Sequence, residues 1–121
     1  MRTILIDPFT KMVSETDCAE GLEPIHQLIK ADCFTCVYLQ DKNNNAIFLD
    51  DEGLFVPWDK QEYFILRGYP NPLAGRAIIL GADSEGESIG CDLDVAVFNN
   101  RIAFIDKERF PDLKAYVEQF Q

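Results

Sequence analysis

Apolar and polar residues alternate along this chain in short runs, and only two stretches hold the spacing of a helix face. Residues 3–6 read as a strand that ends at Pro8, and residues 11–16 pair with it antiparallel across the turn at 7–10. Pro24 suits the first residue of a helix, and Ile25, Leu28 and Ile29 fall on one face of it. Residues 33–39 are β-branched and aromatic enough for a strand. Asp41-Lys42-Asn43-Asn44-Asn45 is turn chemistry, and residues 46–49 make the return strand of a hairpin closed by Asp50-Asp51-Glu52-Gly53.

Two more strands are expected at 62–66 and 76–80, on either side of the Pro/Gly-rich segment 68–75. Residues 81–90 read as a polar loop. Residues 92–98 fit a short helix stopped by Asn99-Asn100 or a strand, and 101–105 fit a strand. Pro111 opens a terminal helix with Leu113, Tyr116, Val117 and Phe120 on one side. Strands adjoin strands more often than they alternate with helices. The expected class is therefore α+β, one domain of residues 1–121 with a mainly antiparallel sheet covered by two or three short helices.

Charge adds the next constraint. Twenty-one acidic against eleven basic residues leave a net charge of −10 on 121 residues. Such a surface repels nucleic acid and anionic membranes and favours basic partners. With 47% hydrophobic residues, nine Phe, four Tyr and one Trp, the chain has ample core material and does not read as disordered. Asp7-Pro8 interrupts the N-terminal apolar residues, which argues against a signal peptide, and no run of about 20 apolar residues is present to span a bilayer. A cytoplasmic protein with reduced Cys18, Cys33, Cys36 and Cys91 is expected.

Candidate chemistry is thin. Gly86-Glu87-Ser88-Ile89-Gly90 matches a nucleophile elbow, but that motif needs a strand before it, a helix after it, and a later acid and histidine. The single histidine, His26, lies upstream, so Ser88 reads as a turn residue. Asp41, Asn43, Asn45 and Glu52 fit four positions of a calcium loop, yet Ala46 stands where glycine is needed and Leu49 where a water-mediated ligand often sits. A plain hairpin explains the same residues. Cys33-Phe34-Thr35-Cys36 is a lone pair of thiols without a second pair or two histidines, and buried thiols explain it better than zinc. No cofactor, metal or catalytic residue is expected.

Two carboxylate groups remain, Asp50, Asp51 and Glu52, and Asp83, Glu85 and Glu87 with Asp92 and Asp94. Spread over a surface, they can imitate the phosphates of DNA or meet another basic partner; as isolated loops they are merely solvated. Tyr69-Pro70-Asn71-Pro72-Leu73-Ala74-Gly75 forms a stiff loop next to Arg67 and Arg76. Arg67, Tyr69 and Arg76 are thus a candidate site for a small anion, against the reading of an ordinary crossover packed by Leu73.

Residues 4–11 (Ile-Leu-Ile-Asp-Pro-Phe-Thr-Lys), the turn at 50–54 and residues 73–81, followed by Asp83 and Glu85-Gly86, resemble in order a family of small, uncharacterised proteins of bacteriophages and mobile elements. The resemblance carries no functional residue. It implies a small accessory protein working inside a bacterial cell, where acidic phage proteins often block host defences by occupying nucleic-acid grooves. The expected function is a non-enzymatic inhibitor of a basic, nucleic-acid-handling host protein through Asp50, Asp51, Glu52, Asp83, Glu85 and Glu87, with no direct nucleic-acid or membrane contact. The alternative is an oligomeric protein that sequesters a nucleotide signal at Arg67, Tyr69 and Arg76.

Overall fold

The structure, a computed structural model, describes residues 1–121. Its first two strands, β1 (Arg2–Asp7) and β2 (Met12–Asp17), form the expected hairpin, in register from Arg2↔Asp17 to Asp7↔Met12. Helix α1 (Leu22–Ile29) follows, then the hairpin β3 (Phe34–Tyr38) and β4 (Ala46–Asp50). Strand β5 (Tyr63–Leu66) leads through the two-residue β6 (Leu73–Ala74) into β7 (Ala77–Ala82) and β8 (Ser88–Ile89). The chain closes with α2 (Val95–Asn99), β9 (Ile102–Phe104) and α3 (Pro111–Glu118).

The class is α+β, as the sequence predicts, with every strand pair antiparallel. There are two sheets. The larger runs β2-β1-β7-β4-β3, with β8 continuing on β7, and the smaller runs β6-β5-β9. The central strand β7 explains the stacking. Ala77, Ile78, Ile79 and Leu80 are all fully buried, which requires cover on both faces of the sheet. Ile78 and Leu80 pack under α1 with Ile25, Ile29 and Phe34, while Ala77 and Ile79 join Ile4, Ile6, Ile47, Phe64 and Leu66 against the small sheet. Tyr63, on the outer face of the small sheet, packs with Val117 of α3. The order of layers is α1, large sheet, small sheet, α3.

Local features correct or refine the sequence reading, beginning with α1, which starts at Leu22, two residues before Pro24. Residues 81–90 are not a plain loop: β7 runs on to Ala82 and turns through Asp83, whose Oδ1 accepts the N–H groups of Glu85 and Glu87, both at 2.9 Å, into β8. Ser88 therefore sits on a hairpin arm rather than an elbow. The ambiguous segment after Asp92 is helical from Val95, because Asp94 Oδ1 caps the amide of Val97 at 3.1 Å. Gly81 is needed where the 41–45 turn crosses β7. Asn43 O accepts from Ala82 N at 3.0 Å, and a Cβ on Gly81 would run into the Asn43 side chain. No helix is long and apolar enough to cross a membrane.

Candidate functional site

The six carboxylates of the acidic reading fall into two groups. The register Leu49↔Ala77 and Ala46↔Leu80 puts Asp50, Asp51 and Glu52 at the Arg76 end of β7, and Asp83, Glu85 and Glu87 at its other end. At about 3.4 Å per residue the two groups stand roughly 20 Å apart. Asp50 Oδ1 accepts from Glu52 N at 2.9 Å, an Asx turn like that of Asp83, so one carboxylate of each group also shapes its own turn. The Asp83 end holds the larger cleft. There Asp83 and Glu87 line, with Glu20, Leu22 and Ile25, a cleft of about 610 Å³ beside α1. Asp50 and Asp51 line a recess of about 300 Å³ with Tyr69, Asn71 and Tyr116.

The basic candidates also separate. Arg76 Nε lies 3.5 Å from Asp7 Oδ1, with its guanidinium 4.3 Å from the centre of the Phe9 ring, at the end of the sheet that holds Asp50. Arg67 and Tyr69 instead line a cleft of about 490 Å³ between β3 and the turn that leaves β5, together with Cys36, Tyr38 and Arg101. Gly68, at φ 89°, makes that turn, and Tyr69 N donates to Leu66 O at 2.9 Å.

Arg101 is the member of this cleft that the sequence did not single out. Leu66 pairs with Ile102, and Arg67 N donates to Arg101 O at 2.8 Å, so Arg67 and Arg101 stand directly opposite each other across the strand pair. Side chains so placed share a face with Cβ atoms about 5 Å apart, and like charges there are unfavourable. Of the five arginines, Arg2, Arg76 and Arg109 each reach a carboxylate, whereas Arg67 and Arg101 reach none. Arg101 rests only on the Phe98 ring, 5.5 Å from its centre. In a chain with ten surplus negative charges, two arginines paired across the strands without a carboxylate partner are a candidate site for an anion.

Other candidates are structural. The calcium-loop residues hold one another: Asn45 N donates to Asp41 Oδ1 at 2.8 Å, and Asn45 Nδ2 donates to Asp41 Oδ2 at 2.9 Å and to Asp92 Oδ1 at 2.8 Å. All four thiols are free. Cys33 precedes β3 beside the 50–52 turn, and Cys36 lies within the strand. Burial raises both thiols above their usual range, and at Cys33 the neighbouring Glu52, Asp50 and Asp51 add to it; both therefore stay protonated and weakly nucleophilic at neutral pH. His26 packs on Phe34 with ring centres 5.6 Å apart.

Comparison with known proteins yields a relative but no activity. The uncharacterised protein y4iR of Sinorhizobium fredii (strain NBRC 101917 / NGR234) is 31% identical over 81 residues, covering 65% of this chain and 48% of that protein, so the chain spans about half of the relative's length. No solved structure matches. Residues 1–107 match the model of a domain of unknown function, DUF3846, and the chain belongs to that family.

Proposed function

We propose that this chain is a non-enzymatic binding protein that takes an anionic ligand in the cleft between β3 and the turn at Gly68. The observation that carries the reading is the facing pair Arg67 and Arg101, neither with a carboxylate partner. Tyr38 and Tyr69 line the same cleft. Arg67 and Tyr69 keep the roles assigned from the sequence, Arg101 replaces Arg76, and Arg76 stays with Asp7 and Phe9. Calorimetry with pyrophosphate and a panel of cyclic nucleotides, on the wild type and on the Arg67→Gln/Arg101→Gln double variant, tests it. Saturable heat lost in the double variant is expected. No heat from any anion, or the same heat from both proteins, would overturn the reading.

A second reading has its own support. Glu20, Asp83 and Glu87 line one cleft, with exposed Glu85 on the adjoining turn, and none of the four meets a cation. This end suits a basic partner, and the resemblance to proteins of phages and mobile elements makes that partner a nucleic-acid-handling protein of the bacterial cytoplasm. A pull-down from nuclease-treated bacterial lysate tests it. A basic protein retained at low salt and released at high salt, and lost when Asp83, Glu85 and Glu87 are reversed to lysine, is the expected result. Retention that ignores both salt and charge reversal would refute it.

A further inference from the structure

We infer that the ligand of the Arg67–Arg101 cleft is an extended peptide segment, added to the large sheet as a strand beside β3 and carrying an acidic side chain held by the two arginines. The inference rests on the anion reading of the cleft and adds the free edge of β3 to it.

The large sheet has two edge strands, and they are protected differently. The outer strand β2, Met12-Val-Ser-Glu-Thr-Asp17, carries two carboxylates. The other outer strand, β3, reads Phe34-Thr-Cys-Val-Tyr38, without a charge, a proline or a glycine. Edges left uncharged and regular recruit another strand.

The direction of its hydrogen bonds can be read from the register. Leu39 N donates to Asn45 O at 2.9 Å, so Leu39↔Asn45 is a hydrogen-bonded pair. Such pairs alternate along an antiparallel ladder. Thr35 and Val37 therefore turn their backbone groups to β4, while the N–H and C=O groups of Cys36 and Tyr38 face outward. Those same two residues line the cleft with Arg67 and Arg101. Backbone donors and acceptors thus border one side of the cleft and paired positive charge the other. An incoming strand satisfies the first and a carboxylate on it satisfies the second, while Tyr38, 71% exposed, meets its neighbouring side chains.

Charge also decides against a second copy of this chain as the occupant. Pairing β3 with β3 about a two-fold axis would bring both copies' Arg67 and Arg101 to one seam with no carboxylate among the cleft residues. Nucleic acid is disfavoured by the net charge of −10.

The test begins with a selection of displayed random heptapeptides on the immobilised full chain, counter-selected on the Arg67→Gln/Arg101→Gln variant after its melting curve confirms that it folds. Enriched peptides are expected to carry Asp or Glu among β-branched or aromatic residues and to lack proline. One of them, made synthetically, is then N-methylated one amide at a time. Methylation at alternate residues weakens binding by about threefold to tenfold, and methylation at the residues between them leaves it unchanged. On the protein, Cys36→Pro, once its melting curve confirms that it folds, removes an outward N–H without touching the ladder to β4 and so weakens the peptide.

Binding that ignores alternate methylation overturns strand addition while the anion reading stands. So does a cleft that takes pyrophosphate but enriches no acidic peptide. Concentration-dependent dimerisation that blocks the peptide and is lost in Cys36→Pro would make a second copy the occupant and overturn the inference. If neither peptide nor pyrophosphate binds, both readings fall.

Discussion

Asn45→Asp swaps the one amide between two carboxylates for a third carboxylate of nearly the same shape. Asn45 is 1% exposed, and its Nδ2 donates to Asp41 at 2.9 Å and to Asp92 at 2.8 Å, joining the 41–45 turn to the segment before α2. Two hydrogen bonds to charged acceptors are lost, worth about 1.5–3 kcal/mol each. The sum, roughly 3–6 kcal/mol, is comparable with the whole stability of many domains, about 5–15 kcal/mol. Urea unfolding at several pH values measures it. The new carboxyl, set against Asp41 and Asp92, has its folded-state pKa raised above the unfolded value of about 3.9. The folded state then binds more protons than the unfolded one, so the stability of the variant falls as pH rises through that interval and recovers on acidification. A loss at neutral pH below about 1 kcal/mol, or one that acid does not reduce, would refute the assignment of these bonds as the clamp on the turn.

Three further perturbations test other parts of the structure. Tyr63 is fully buried with an unpartnered hydroxyl, and burial, aided by Glu62, pushes its pKa up to about 12. An unfolded tyrosine ionises near 10, so this group withdraws about 2–3 kcal/mol of stability as pH rises from about 10 to 12; Tyr63→Phe should be neutral or stabilising at pH 7 and should flatten that alkaline loss, and clear destabilisation at pH 7 would show a hidden partner for the hydroxyl. Gly81→Ala forces a Cβ onto Asn43 and should cost about 1–3 kcal/mol by thermal melting, an unchanged midpoint contradicting the close crossing of β7 by the 41–45 turn. Arg67→Gln relieves the facing charges and should stabilise the ligand-free chain by up to about 1 kcal/mol at low salt, less at high salt; a variant less stable than wild type at low salt would show that the pair is not in conflict.

Much of the fold was legible in the sequence because its strands are short, β-branched and bounded by turn residues. The run Ala77-Ile78-Ile79-Leu80 reads as a strand, and its lack of polar alternation accords with the cover it has on both faces. The second sheet was not legible: β5 and β9 pair through Phe64↔Phe104, across forty residues, and nothing local announces that contact. For the same reason Arg101 went unnoticed, since its place opposite Arg67 depends on that pairing. Arg76 misled by proximity in sequence. It lies nine positions after Arg67, but the 69–75 loop carries the chain to the other end of the large sheet, where Asp7 waits. Val95-Ala-Val-Phe fits helix or strand equally, and the carboxylate of Asp94 decides it by capping. The division of the acidic residues into two groups was not legible, because turns at opposite ends of antiparallel strands collect similar residues.

The most direct measurement is an NMR titration of the arginine side-chain Nε–Hε signals with pyrophosphate. Saturable shifts are expected at Arg67 and Arg101, with Arg76, already paired to Asp7, unmoved. Shifts spread evenly over all five arginines, or no saturation at all, would contradict it.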